Sequence, residues 1–377
     1  MRVFFYTEYS RKGPNSRYRI HQFQNLFRGI GIKTRCFPFF PDRYLEDLYE
    51  GSHPSVPISD IYWRRTRDIK WVGDCDLAVV EREFFPFLPA AFEKGAFKRA
   101  HRILLDFDDA VFFQYQHHPR RTVRWLLGKK MDRLISWSDG IIGGSRFLCE
   151  YARRHVARTW TVPTSVDTEK YTPHDHNHDG LITLGWVGTP LTVGQLALVR
   201  RPVERLAKEV PLRLMVVGAP APVWKGVEAY SVEWSEEKEA EWIRWMDIGL
   251  VPEEETVWEF GKSSFEVLQC MAGQVVPVVS DTLANREIIS HGQDGFLCRT
   301  EDEWFECLLD LATSSSCRAS VGQAARRKVV SHHSQATACK QLVQIFREVL
   351  GEREPWSPDT KDLLPGGSLA PLTEGRE

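Results

Sequence analysis

A chain of 377 residues, 42% apolar and 27% charged, has the balance of a soluble globular protein large enough for two or three domains. Its formal net charge of -2 supplies no global pull toward nucleic acid or an anionic surface. The eight cysteines stand singly, with no CxxC and no Cys/His cluster, which excludes a zinc site of that kind.

In chain order, "RVFFY" (2–6) opens as a strand. The N-terminus lacks the long apolar core of a signal peptide, so a reducing cytoplasm is the expected compartment. The next loop, "TEYSRKGPNSRYRIHQF" (7–23), turns at Gly13 and Pro14 and can cap a helix with Asn15 or Ser16. Arg17 and Arg19 then stand at a helix start, against its dipole. That placement suits an anionic ligand and, equally, an exposed arginine pair. Strands follow at 61–63, 77–80 and 102–107, with helices around 17–29 and 88–100. "LLDFDDAVF" (104–112) sets Asp106, Asp108 and Asp109 after an apolar run. Three carboxylates there can hold a divalent metal, act as base or grip sugar hydroxyls, whereas capping a helix needs only one of them. His117 and His118 come next and read as solvated.

The helical stretch 119–137 carries Arg120, Arg121, Arg124, Lys129, Lys130 and Arg133 around Trp125 and Leu126. Such a face is either a solvated helix surface or a contact for anionic lipid or an anionic acceptor. A strand at 140–145, a helix at 146–156 and a strand at 159–163 follow. Segment 168–180, rich in His, Asp, Asn, Pro and Gly, reads as a linker.

The alternation then restarts. Strands are expected at 181–188, 212–218, 228–234, 248–252, 275–280 and 295–298, and helices at 193–209, 236–246, 262–273, 301–313, 317–330 and 335–350. Continuous apolar runs suit parallel strands covered on both faces. The pattern predicts an α/β protein of two βα domains, 1–167 and 181–334, then a helix at 335–351 and a disordered tail at 352–377. Ligands of open parallel sheets sit at the carboxyl ends of strands, so the chemistry belongs in the loops after them. In "GWVGTP" (185–190), Gly188 permits close backbone approach and Thr189 offers a hydroxyl near a phosphate.

"WEFGKSSFEVLQCMA" (258–272) reads as a turn at Gly261 followed by a helix with Lys262, Ser263 and Ser264 in its first turn. Lys262, Glu266 and Gln269 fall on one stripe of that helix. A lysine N-terminal to its glutamate is the weaker order of such a pair. A diphosphate at the helix N-terminus explains Lys262 better, with Glu266 and Gln269 bonding a sugar or ribose.

"VPTSVDTEKYTP" (162–173) and the segment 247–298 around this helix resemble nucleotide-sugar-dependent glycosyltransferases. With "GPNSRYR" (13–19), "DFDDAVF" (106–112), "GSRFLCEYA" (144–152) and "GWVGTP", they resemble a bacterial subgroup of glycosyltransferase family 4 in order over roughly residues 1 to 350. The resemblance implies the GT-B fold, in which two Rossmann-like domains face an interdomain cleft. It implies the acceptor on the first domain, the nucleotide sugar on the second, and a last helix crossing back to the first. Retention of anomeric configuration is implied too, with no obligatory divalent metal and no cofactor besides the nucleotide diphosphate sugar.

On this basis Gly188, Thr189, Gly261, Lys262 and Ser263 are expected at the diphosphate, Glu266 at the sugar and Gln269 at the ribose. Gly13, Arg17, Arg19 and Asp106 are expected on the acceptor side, with Asp108 and Asp109 joining Glu266 in catalysis. The sequence departs from the family where Gln269 replaces a second glutamate and Gln274 a glycine. A basic pair after the first donor-domain strand is missing too, the next bases being Arg200 and Arg201. The expected protein transfers a sugar to a hydroxyl acceptor in cell-envelope or glycan synthesis, in the cytoplasm or at the inner face of the membrane, without a nucleic-acid partner. A nucleotide-sugar epimerase and a catalytically degenerate sugar-binding scaffold stand as alternatives.

Overall fold

The computed structural model describes residues 1–173, 180–254 and 264–352. The first domain runs β1 (Arg2–Thr7), α1 (Pro14–Arg19), α2 (Gln24–Gly29), β2 (Lys33–Pro38), α3 (Asp42–Tyr49), α4 (Ile58–Asp68), β3 (Leu77–Glu81) and α5 (Lys94–Arg99). It continues with β4 (Ile103–Phe107), α6 (Val111–Gln116), α7 (Arg121–Leu127), α8 (Lys130–Trp137), β5 (Gly140–Gly143), α9 (Arg146–Ala152) and β6 (Thr159–Thr161). The second comprises β7 (Ile182–Val187), α10 (Arg200–Leu206), β8 (Leu212–Val217), β9 (Glu228–Val232), α11 (Glu239–Arg244), β10 (Ile248–Val251), α12 (Phe265–Ala272), β11 (Val276–Ser280), α13 (Leu283–Ile288), β12 (Phe296–Cys298), α14 (Glu301–Thr313) and α15 (Ser315–His332). The last helix is α16 (Gln335–Leu350).

All pairings are parallel, in the orders β2-β1-β3-β4-β5-β6 and β12-β11-β10-β7-β8-β9. Strands β3, β4 and β10 are buried at every residue, as central strands roofed by helices on both faces must be. The chain reverses direction across the sheet between β1 and β3 and between β7 and β10, so crevices open at those two strand ends. Helix α16 contributes Ala338, Leu342, Val343, Phe346 and Val349 to the core that holds Val3, Phe5 and Phe27 of the first domain. Its start is fixed by Ser334, whose hydroxyl accepts from the amide of Thr337 at 3.3 Å.

Sequence and structure differ at several elements, the helices expected over 119–137 and 193–209 each dividing in two. "IYW" (61–63) is not a strand but part of α4, which follows Pro57 and buries Ile61 and Arg65. A three-residue apolar run carries too little periodicity to separate the two. Strand β2 escaped because it lies at the sheet edge and buries only Phe37 fully. The helix expected over 17–29 divides into α1 and α2 around a single turn. Of the helix expected over 262–273, the described part is α12. Gly261, Lys262 and Ser263 lie outside the described residues, as do linker residues 174–179 and tail residues 353–377.

His333, at the junction of α15 and α16, accepts from the amide of Val166 through its carbonyl at 2.9 Å. Burial, then the neighbouring His332 and Lys328, lowers its imidazole pKa to about 4. The folded protein keeps it neutral, whereas the unfolded chain protonates it near pH ~6.5. Its contribution is thus intact above pH ~6.5 and is lost as pH falls toward about 4, at up to about 1.4 kcal/mol per pH unit. His333→Gln should therefore lose less thermal stability than the parent across that window, as read from Tm against pH.

Candidate functional site

Between the domains lies a cavity of about 550 Å³. Its second-domain wall is made by the ends of β7, β8 and β9 and the first turn of α12, its first-domain wall by the loop after β1 and by Tyr49. Two glycines shape the floor. A side chain at Gly188 would strike the Trp186 ring at 2.2 Å, and one at Gly218, whose φ is +87°, would strike the Gly188 carbonyl at 2.3 Å. Strands β7 and β8 can close together only with glycine at these ends. Thr189 lines the cavity, while its amide donates to the Thr192 hydroxyl at 3.1 Å.

Glu266 and Gln269 also line the cavity. Gln269 is buried, and its amide donates to the Tyr171 hydroxyl at 2.6 Å. Tyr171 donates in turn to Glu239 at 2.5 Å. Buried Glu239 also accepts from Trp234 Nε1 at 3.0 Å and Tyr18 at 3.3 Å, and pairs with Lys170 at 3.0 Å. Since Tyr18 is a first-domain residue and Trp234 a second-domain one, Glu239 ties the walls together. Tyr18 further stacks on Phe265 with ring centroids 3.4 Å apart.

Arg17 stands in the middle of this wall, 4% exposed. Its guanidinium lies 4.5 Å from the Tyr18 ring centroid and 4.7 Å from that of Trp234, and donates to the Tyr18 hydroxyl at 2.7 Å. Its Nε has no hydrogen-bond partner, and among the described residues it forms no salt bridge. A cation desolvated on aromatic faces and aimed at a cavity is a ready partner for an anion.

The other expected residues go elsewhere. Arg19 and Asp106 form a buried bidentate pair at 2.9 and 2.8 Å, and Arg19 also donates to the Val162 carbonyl at 2.6 Å. Neither lines the cavity; together they fasten α1 to β4 and the chain after β6. Gly13 packs against the Tyr9 side chain so closely that a Cβ would lie 2.3 Å from it. Asp108 and Asp109 accept from Arg82 at 3.1 and 2.5 Å, and Glu8 accepts from a third guanidinium nitrogen at 2.7 Å. Arg200 and Arg201 pair on the surface with Glu204 and Glu301.

Arg82 was not singled out from sequence, although "EREFFP" directly after β3 is the kind of strand-end loop that the parallel-sheet rule marks. It sits at φ +61°, in the left-handed region, a strain of about 1 to 3 kcal/mol that its three carboxylate bonds offset. Beside it Glu81 is buried, and its carboxyl pKa is raised to about 8 by burial first and by Asp108 and Glu8 second. The ends of β1, β3 and β4 thus gather Glu8, Glu81, Asp106, Asp108 and Asp109 around two arginines, with Glu81, Asp106 and Asp108 buried. That surplus of acceptors suits hydroxyl groups.

Two parallel-sheet domains facing one cleft, with the last helix returned to the first, define the GT-B fold. The second domain carries the signature of an enzyme class as well. Residues 181–314 match the family model described as glycosyl transferases group 1, and that domain is a glycosyltransferase domain. No curated protein matches the chain in sequence. Among solved structures, sucrose-phosphate synthase from Thermosynechococcus elongatus is similar at a TM-score of 0.66 and 12% identity, over 93% of this chain and 99% of that one. A glycosyltransferase from Rickettsia africae gives 0.67 and 11%, over 93% and 98%. Anabaena HepE in complex with UDP-glucose gives 0.66 and 12%, over 92% and 100%. At such identities the likeness carries the fold.

Proposed function

We propose that the protein is a retaining glycosyltransferase that moves a sugar from a nucleoside diphosphate sugar to a hydroxyl acceptor. The observation that carries this reading is the interdomain cavity: its second-domain wall belongs to the matched domain, and its other wall sets opposite it a buried Arg17 that forms no salt bridge among the described residues. In the reaction the bond from the anomeric carbon to the diphosphate oxygen breaks, a new bond forms to the acceptor oxygen, and the hydroxyl proton is released. Negative charge grows on the departing diphosphate, so fixed cations and donors aimed at it lower the barrier. On this reading Gly188 and Thr189 serve the diphosphate together with Arg17, which the sequence places on the acceptor side but which lines this cavity. Glu266 and Gln269 serve the sugar and nucleoside, and Lys262 belongs to the segment leading into α12. Asp108, Asp109 and Glu8, ordered by Arg82, form the acceptor-side crevice.

An epimerase would need an acid and a base beside the donor sugar. Asp108 and Asp109 are instead paired with Arg82, and neither they nor His117 lines the cavity. The complexes of HepE with UDP and UDP-glucose make uridine diphosphate sugars the first donors to test. A matching donor at a hundredfold excess over its Kd should stabilise the protein by about 2.7 kcal/mol, seen as a raised Tm, and should be hydrolysed slowly without acceptor. NMR of the product should show the donor's anomeric configuration. Absence of both the Tm shift and turnover with uridine, guanosine and adenosine diphosphate sugars would sink the proposal.

A further inference from the structure

The first domain carries a surface that the cleft does not use. Trp125, on α7, is 86% exposed and Leu126 is 51% exposed, while Phe92, on the turn packed against α8, is 63% exposed. Around them stand Arg120, Arg121, Arg124, Lys129 and Arg133, none of which forms a salt bridge among the described residues. The acid inside this segment, Asp132, is engaged by the Tyr151 hydroxyl at 2.5 Å and by His155 at 3.4 Å. Lys130, by contrast, is buried between Glu83 and Glu93 and donates to the Phe85 carbonyl at 2.5 Å. The basic run of the sequence thus separates into one buried structural lysine, a half-buried Arg124 that donates to the His118 and Pro119 carbonyls, and four exposed cations, Arg120, Arg121, Lys129 and Arg133.

A fully solvated helix face has no use for a tryptophan left open to water. Cations flanking an exposed indole and leucine match an interface whose outer layer is anionic and whose inner layer is apolar. A polyanion such as nucleic acid would complement the charges but leave Trp125 and Leu126 without an apolar partner. We infer that the face built from α7, the turn into α8 and Phe92 docks on an anionic lipid bilayer. Among the described residues no helix is long and apolar enough to cross a membrane, so the contact is one of surface insertion. Helix α7 follows α6, the helix that leaves the carboxyl end of β4, and packs against it. Resting on the transferase reading above, a first domain docked on a bilayer makes a lipid-borne hydroxyl the substrate class that fits.

Co-sedimentation of the full chain with vesicles tests the contact. The parent should pellet with vesicles of phosphatidylcholine and phosphatidylglycerol in equal parts and stay in solution with phosphatidylcholine alone. Trp125→Ala, and separately Arg121→Glu with Lys129→Glu, should each lower partitioning at least about tenfold, while the Tm shift with nucleotide sugar stays at the parent value. A parent that does not pellet with the anionic vesicles overturns the inference, as do variants that pellet like the parent. Loss on charge reversal but not on Trp125→Ala overturns it too, since that is the signature of polyanion binding. Because the donor shift is read separately, failure here is distinct from failure of the transferase reading.

Discussion

Arg17→Ala should weaken nucleoside diphosphate binding by about tenfold to a hundredfold while leaving the affinity for the bare nucleoside nearly unchanged. The guanidinium is 4% exposed and rigidly stacked between Tyr18 and Trp234, so a bound diphosphate meets a cation that has already lost its water and its freedom. A charge-assisted hydrogen bond of this kind is worth roughly 1.5 to 3 kcal/mol. Titration calorimetry with uridine and with UDP separates the two effects. Losing the stacking alone would weaken both ligands equally, whereas losing a phosphate contact changes their ratio. Arg17→Lys should recover part of that ratio, because lysine keeps the charge without the planar fork. Equal affinities of parent and Arg17→Ala for UDP would remove Arg17 from the donor site.

The second large effect concerns stability. Arg82→Met should destabilise the fold by about 3 to 5 kcal/mol, because it leaves the carboxylates of Glu8, Asp108 and Asp109 without their shared cation. The pH dependence has a definite sign. Glu81 beside them already holds a folded pKa of about 8, above that of an unfolded glutamate, so its contribution is greatest at low pH and is lost as pH rises toward 8. Removing Arg82, the cation that holds the Glu8 carboxyl down, pushes Glu8 in the same direction. The deficit of the variant should accordingly shrink as pH is lowered, measured as the Tm difference from the parent. A deficit that is flat with pH, or below about 1 kcal/mol, would mean that the trio behaves as an exposed surface network.

The positions of the eleven parallel strands foreseen by the alternation follow from their apolar runs, most clearly for the central ones, because a strand roofed on both sides has no polar face to confuse its period. Edge strand β2 and helix α4 did not follow, since partial exposure and a short apolar run each erase the periodic signal. At the site, the strand-end rule marked Gly188 and Thr189, which line the cavity. It could not say that Arg17 would face the cavity while Arg19, two residues on, would be clamped to Asp106. Successive residues of a helix point about 100° apart, and which direction meets the cleft depends on how α1 lies against β4.

By itself, then, the chain determines its two βα units, the loops that bear chemistry, and a resemblance that carries the GT-B fold; these rest on local patterns of polarity and turn residues. Which charges are partnered and which remain available was decided by tertiary structure alone. Asp108 and Asp109 meet Arg82, Lys130 meets Glu83 and Glu93, and Glu239 joins Tyr18 to Trp234 across the domains. Each partner is distant in sequence, and Coulomb interactions of this kind depend on separations in space that only the packed sheets fix.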